Sequence, residues 1–416
     1  MLSKEQNELL CRIGPGTSMG QAIRQVWVPA VRSSNLEVDG APQRVRVLGQ
    51  DFVAFRDTNG RVGFLDEACP HRGVSLALGR NEECGLRCIF HGWKMNVDGQ
   101  VVEVPSEPAG SNLASKVRVN NYKVHEAGGL VWVYLGKEEE APQFPDFGFE
   151  NLPPENVLVR KSIVHCNWVG LVEGLLDSSH VTSLHTAWLP HGDAAMTGPN
   201  AGMMGALSVQ YEIHDRPYGY MANAKRKLKD GTYVNRKSEY VLPFFCLIPS
   251  TVKNLYNVNI VMPIDDEHTD FWLINWDPTG PLTAAAVDQV LNLGQLSTNA
   301  DNLYEDRVAA DGRWGQDREL MARDPHSVGF KSLPIEDLAV TESQGAIADR
   351  SKEHLGASDI AIIRMRRALL EMVRVYQETG VLPIYNQPID YTNIRPVHEL
   401  LDKNGDKIHF EVVLKA

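Results

Sequence analysis

Two short stretches carry side chains that grip metals: Cys69-Pro70-His71-Arg72-Gly73 and Cys88-Ile89-Phe90-His91-Gly92-Trp93. Together they read C-x-H, sixteen residues, then C-x2-H. Each arm offers one thiolate and one imidazole. That mixed set suits a [2Fe–2S] cluster in which two Cys hold one iron and two His hold the other. Neutral imidazoles put less negative charge on the cluster than thiolates do, so the reduced state is stabilised. The potential rises to roughly −150 to +300 mV, against about −400 mV for an all-Cys plant-type cluster. A centre in that range can pass an electron to an activated oxygen species. A zinc staple is the competing explanation, but zinc sites pair like ligands, as C-x2–4-C and H-x3–5-H. Here each arm carries unlike ligands, with Gly73 or Gly92 close by to shape a loop tip.

A second constellation follows at Asp177-Ser178-Ser179-His180-Val181-Thr182-Ser183-Leu184-His185, a D-x2-H-x4-H pattern. Two His and one carboxylate on one face of Fe(II), with open positions left for O2, are the ligands of non-haem iron oxygenases. On a helix Asp177 and His180 share a face. His180 and His185, five residues apart, would diverge by roughly 140° on an ideal helix. Both reach one iron only if the helix breaks or widens, and Val181-Thr182-Ser183 is the expected place. In isolation the pattern is weak, because Asp177 could simply cap a helix. Beside a cluster it gains force: one centre stores an electron and the other needs one. The glycine cluster Gly14–Gly20 is not a nucleotide loop, since no strand precedes it and Pro15 interrupts it; Thr17 or Ser18 is expected to cap a helix there.

The elements that must position these residues fall into two regions. Residues 1–25 suggest two short N-terminal helices, at 4–13 and 17–25. From 26 to 136 short strands alternate with turns. Arg44–Leu48 has the two-residue period of a half-buried strand, and Asp57-Thr58-Asn59-Gly60 is a hairpin turn between 52–55 and 62–65. Gly128–Leu135 reads as a buried closing strand. Residues 137–156 are acidic and proline-rich, a linker. From 157 to 416 the reading is a strand at 157–165, a helix from 168 to past His180, strand runs at 206–213, 218–226, 237–247, 251–262 and 268–277, then helices. Lys229-Asp230-Gly231-Thr232 should turn the chain between two of those strands. The helix expected over 358–379 presents Ile360, Ile363, Leu369, Leu370 and Val373 and stops at Gly380. The fold class is therefore α+β: an N-terminal antiparallel β domain carrying the cluster, and a C-terminal antiparallel sheet covered by helices, helix-grip-like in arrangement.

At 416 residues the chain has room for two cores. Its net charge of −12 argues against nucleic acid and anionic membranes as partners. No apolar run is long enough for a transmembrane helix, and the start MLSKEQNELL is not a signal peptide. The four Cys outside the cluster arms (11, 84, 166 and 246) show no paired spacing, which points to a reducing, cytoplasmic setting.

The chain resembles the catalytic (α) subunit of Rieske non-haem iron aromatic ring-hydroxylating oxygenases, and within them the phthalate dioxygenase group. The resemblance spans nearly the whole chain. It rests on GPGTSMG, DEACPHRGVSLALGRNEECGLRCIFHGWKM, PSEPAGS, NWVGLVEGLLDSSHVTSLH and IEDLAVTESQGAIADRSKEHLGASDIAIIRMRR. It implies that Cys69 and Cys88 bind one iron of a Rieske [2Fe–2S] cluster and His71 and His91 the other. It implies that His180 and His185 bind a mononuclear Fe(II), with a distant carboxylate as third ligand. Asp337 is the choice, with Glu336 and Asp317 as alternatives. Asp177 would bridge His91 of a neighbouring copy and His180 of its own, which requires a homo-oligomer, a trimer or stacked trimers. O2 is the cosubstrate, and NAD(P)H acts only through a separate reductase.

The implied function is oxidation of a small aromatic carboxylate, with ring dihydroxylation of a phthalate-like or benzoate-like acid ahead of O-demethylation of a methoxylated acid. A carboxylate substrate needs a cation; Arg216, Lys225, Arg226 and Lys237 are candidates, and Ser178 or Ser179 could add a hydroxyl. A solvated hairpin is the plainer explanation of the basic run 225–229, and core packing that of Tyr240–Phe245. Two other classes remain open: a Rieske electron carrier without oxygenase activity, and a zinc-stapled binding protein.

Overall fold

The computed structural model describes residues 1–189 and 208–409, apart from positions 229, 251 and 295. Two compact units form, one of Ile13–Pro145 and one of Met1–Arg12 with Asp146–Ala416. The two leading helices are Lys4–Cys11 and Ser18–Ile23, and they part company between the units. The reason lies in the first helix's buried face. Leu10 and Cys11 are fully buried, and Asn7 donates to the Ala348 carbonyl at 3.0 Å while Arg350 donates to its Oδ1 at 3.2 Å.

The smaller unit is built of three antiparallel sheets. Trp27–Arg32 pairs with Leu130–Tyr134, which pairs with Lys123–Ala127. Gln43–Val47, Gln50–Arg56 and Val62–Asp66 form a meander, with the expected hairpin at residues 57–60 closed by the Gly60 N–H to the Asp57 carbonyl at 2.8 Å. Arg80–Glu82, Gly85–Arg87, Lys94–Met95 and Val101–Glu103 form the third sheet. One metal-gripping arm follows Val62–Asp66; the other is the tip between Gly85–Arg87 and Lys94–Met95. Cys69, Cys88 and Trp93 pack in one core with Val53, Phe55, Leu65, Leu86 and Met95.

The larger unit is a nine-stranded antiparallel sheet among the described residues. Its order is Val157–Val164, Thr269–Trp276, Tyr256–Pro263, Phe245–Leu247, Tyr233–Val241, Gly219–Lys227, Gln210–Arg216. The run expected at 237–247 is cut by a turn at 242–244. The run at 206–213 starts at Gln210, with its first two residues outside the described part, as are Thr251 and Lys229 of other expected elements. Two strands were not expected at all: Val397–Leu401, which adds to Tyr233–Val241, and Lys407–Ile408, which adds to it in turn. Both sit half-exposed or exposed at a sheet margin, so neither shows the apolar alternation that betrays a strand.

Helices cover the sheet. Trp168–Leu176 starts at Asn167, whose side chain caps the Val169 N–H at 3.2 Å, and buries Trp168, Val169, Leu171, Val172 and Leu176. Its buried Glu173 accepts from Arg350 at 2.8 and 2.9 Å and from Arg366 at 2.7 Å. Arg366 belongs to the long helix Ile360–Thr379, which ends at Gly380 in the left-handed conformation. Its inner face differs from the expected one: Ile360 is exposed, and Ala361, Met365 and Met372 are buried beside Leu369 and Val373. Tyr220 of the sheet donates to the Ala361 carbonyl at 2.8 Å, joining the two layers. Gly170, in Trp168–Leu176, lets the helix Leu333–Glu342 approach: a Cβ there would lie 3.3 Å from Thr341 Cγ2.

Candidate metal centres

The two arms of the smaller unit are the same loop built twice. In the first, Gly73 N–H donates to the Cys69 carbonyl at 2.8 Å and Cys69 N–H to the Val74 carbonyl at 2.8 Å. In the second, Gly92 N–H donates to Cys88 at 3.0 Å and Cys88 N–H to Trp93 at 2.8 Å. Gly73 and Gly92 stand at φ +73° and +74°, where a side chain would be strained. The loops bring the His71 and His91 rings to 4.5 Å between centroids, and Trp93 stacks on His71 at 4.6 Å and 2°. Both thiols are buried and unbridged, while both imidazoles lie nearer solvent. Burial pushes the Cys69 thiol up to about 11, against backbone N–H groups of His71 and Arg72 that favour the thiolate. Two buried thiols with two converging imidazoles fit a cluster with a Cys-bound inner iron and a His-bound outer iron.

In the larger unit the helix bearing Asp177 ends sooner than expected. It stops at Leu176, and Asp177 has extended backbone (φ −80°, ψ 108°). Asp177 Oδ1 accepts from the Ser179 N–H at 2.7 Å and from its hydroxyl, and this local turn outcompetes the helix. The break thus falls at residues 177–180. Val181-Thr182-Ser183, expected to hold it, lies instead in the single helical turn Val181–Leu184, with His180 and His185 at its two ends. The redirected chain brings the two rings to 5.1 Å.

Asp337 completes the group. Its Oδ1 lies 3.1 Å from His185 Nε2 and 3.6 Å from His180 Nε2, and three donor atoms from these residues fall within 4.8 Å of one another. Ligands at about 2.1 Å and right angles stand roughly 3 Å apart, so the spacing suits one metal ion with open positions. The helix Leu333–Glu342, capped by Ser332, carries Asp337. Of the alternatives, Glu336 lies behind the site, its Oε2 2.6 Å from His185 Nδ1, and Asp317 caps the helix Arg318–Arg323. Burial opposes charge on His185, but Asp337 and Glu336 outweigh it and raise its pKa to about 9. Burial raises the Glu336 carboxyl, partly offset by His185. Asp177 Oδ2 is 3.4 Å from His180 Nδ1, and against the pull of burial His180 and Ser179 hold its carboxyl below the usual range.

The basic candidates separate clearly. Arg216 is exposed at a hairpin end, Lys237 pairs with Glu399 at 2.6 Å, and Lys225 lies over the Tyr233 ring. Ser179 is occupied by Asp177. Arg226 is fully buried and donates to the Ser178 hydroxyl at 3.2 Å and to its carbonyl. Arg236 is a residue that sequence reasoning missed. The register pairs Ala224 with Arg236, Arg226 with Val234 and Tyr211 with Ala224, so Tyr211, Arg226 and Arg236 share a sheet face. Tyr211 Oη accepts from the Ser178 N–H at 2.7 Å, so that face lies under the residue next to Asp177. Burial, and then Arg226, lowers Arg236 to about 10. Neither guanidinium makes an ion pair within 4 Å among the described residues, although Asp177 attracts Arg226 from farther off. Arg236 shares its face with Val234, Ser238 and Tyr240, but Asn235, Glu239 and Val241 of the other face are buried too, so no alternation in the sequence marks it out.

Comparison with known proteins fits this geometry. Residues 26–123 match the Rieske [2Fe-2S] domain, and residues 133–413 match the LigXa C-terminal domain like family. The phthalate 4,5-dioxygenase oxygenase subunit of Pseudomonas putida is 40% identical over 91% of this chain and 87% of its own length. The 3-chlorobenzoate-3,4-dioxygenase oxygenase subunit of Comamonas testosteroni is 36% identical over 92% and 91%. The 5,5'-dehydrodivanillate O-demethylase oxygenase subunit of a Sphingobium species is 30% identical over 89% and 80%. Dicamba monooxygenase bound to dicamba shares the fold at TM-score 0.58 and 18% identity, over 86% of this chain and 99% of that one. No helix among the described residues is long and apolar enough to cross a membrane. The chain belongs to the Rieske non-haem iron oxygenases, as an oxygenase (α) subunit of the phthalate dioxygenase-like group.

Proposed function

We propose that this chain is the terminal oxygenase of a multicomponent system. It receives electrons from a separate reductase fed by NAD(P)H and uses O2 to oxidise a small aromatic carboxylate in the cytoplasm. Ring dihydroxylation of a phthalate-like or benzoate-like acid is the main reading. The observation that carries it is the guanidinium pair Arg226 and Arg236, without a carboxylate in ion-pair contact among the described residues, beneath Ser178 and beside the Asp177–His180 segment. A buried cation (Arg226) and a half-buried one (Arg236) with no carboxylate in contact among the described residues are costly, and a substrate carboxylate would supply the counter-charge. Their fork geometry would then fix the ring's orientation.

Cys69 and Cys88 are the proposed ligands of one cluster iron and His71 and His91 of the other; His180, His185 and Asp337 are those of the mononuclear iron. When bound, these centres supply electron storage and O2 activation. The protein orients the imidazoles, holds the substrate anion and limits water. Asp177 has a proposed second task. In a homotrimer or stacked trimers, its carboxylate would accept from His180 of its own chain and His91 of a neighbouring copy, tying the two centres together.

The test is turnover with a surrogate reductase over a panel of phthalates, benzoates and methoxybenzoates. The proposal expects O2 uptake that depends on a carboxylate substrate, and a product carrying both oxygen atoms. Formaldehyde release from methoxylated acids alone would transfer the assignment to O-demethylation. Cluster reduction without substrate-dependent O2 uptake by any acid would leave only an electron carrier.

A further inference from the structure

The two imidazoles of the mononuclear site are held differently from behind. His180 Nδ1 faces Asp177 at 3.4 Å, and Asp177 divides its bonds with Ser179. His185 Nδ1 faces Glu336 at 2.6 Å, and Glu336 is fully buried. Its one cationic neighbour among the described residues is His185. Glu336 and Asp337 are consecutive on the helix Leu333–Glu342, so their side chains leave it about 100° apart. They straddle one ring: Glu336 at Nδ1 and Asp337 at Nε2, 3.1 Å away.

A carboxylate at Nδ1 accepts its N–H and leaves the Nε2 lone pair aimed at the metal position, and it raises the basicity of the ligand. A buried carboxylate serving only to pack would be replaceable by an apolar residue of its size. We propose that Glu336 is the positioning residue that fixes the tautomer and orientation of His185, making His185 the rigid anchor for iron, while His180, with its longer and divided rear contact, is the softer ligand. This rests on the reading that His180, His185 and Asp337 hold Fe(II).

The experiment compares wild type, E336Q and E336D as intact, cluster-loaded protein stripped of mononuclear iron. Fe(II) affinity is titrated against a competing chelator, and the rate of iron loss is followed after dilution into chelator. The proposal expects E336Q to bind Fe(II) about 10–100-fold more weakly and to lose it correspondingly faster, with cluster absorbance and circular dichroism unchanged. E336D, which keeps the charge but shortens the arm, should fall between. A folded E336Q with wild-type affinity and loss rate overturns the proposal. If E336Q does not fold, E336D decides: weakened binding supports the role and wild-type binding removes it. Failure of the wild type itself to bind Fe(II) would instead sink the parent reading of the triad, a distinguishable result.

Discussion

Replacing Arg236 by methionine should make the protein more stable and a poorer enzyme at once. The guanidinium lies on the inner face of the sheet with no carboxylate partner among the described residues, and burial lowers its pKa to about 10. The depression corresponds to about 3 kcal/mol against the charged form, reduced to about 1–2 kcal/mol by its partial exposure. The sign is that of a buried cation. The penalty is fully present below the folded pKa, including pH 7, and is relieved as pH rises past about 10. Methionine keeps the apolar length and removes the charge, so the melting temperature of the substrate-free enzyme should rise by about 2–3 °C. Catalysis should move the other way. Losing one or two charge-assisted bonds to a carboxylate costs about 2–4 kcal/mol, which is roughly 30–1,000-fold in kcat/KM. The assay pairs thermal melts with O2 uptake for an aromatic acid and its neutral methyl ester. Loss confined to the acid is expected. Equal losses for acid and ester, or no loss for the acid, would refute the reasoning.

Other outcomes follow from the same geometry. D337N and H185A should each retain the brown cluster yet lose mononuclear iron, seen as about one iron fewer per chain by metal analysis. D177N should keep both centres but slow turnover by about 100-fold; rapid-mixing spectra should show the reduced cluster reoxidising correspondingly more slowly when substrate and O2 are added. H91C should keep a cluster whose potential falls well below the wild-type value, by voltammetry. Because Asp337 and Glu336 raise His185 to about 9, iron binding must displace a proton at neutral pH. Apparent Fe(II) affinity should therefore climb about tenfold per pH unit between pH 7 and 8 and level off above about 9; a flat profile would contradict that assignment.

Much of this molecule could be read from its sequence, for identifiable reasons. Cluster arms are local, so their ligand spacing, with Gly73 and Gly92 in matching loop positions, is visible in the chain itself. The hairpin at 57–60 and the stop at Gly380 are equally local. Asp337 could be chosen over Glu336 and Asp317 only by resemblance, because it meets His185 across more than 150 residues of chain and no periodicity encodes that meeting. The helix break was foreseen but misplaced: Asp177 competes for backbone N–H groups through Ser179, a stronger cause than the β-branched run after it. Arg216 and Arg236 are indistinguishable by composition. Strand register alone separates them, putting one at an exposed turn and the other on a buried face. The strands at 397–401 and 407–408 exist because a neighbouring edge accepts them, which no local preference announces.

The central claim is that one chain carries a Rieske cluster and a mononuclear iron held by His180, His185 and Asp337. Iron and acid-labile sulfide analysis of the purified protein, with its absorption spectrum, tests that most directly. The purified protein should be brown, with about three iron and two sulfides per chain, falling to about two iron in D337N with sulfide unchanged. Two iron in the wild type that added Fe(II) does not raise would contradict the second site, and zinc without sulfide would contradict both.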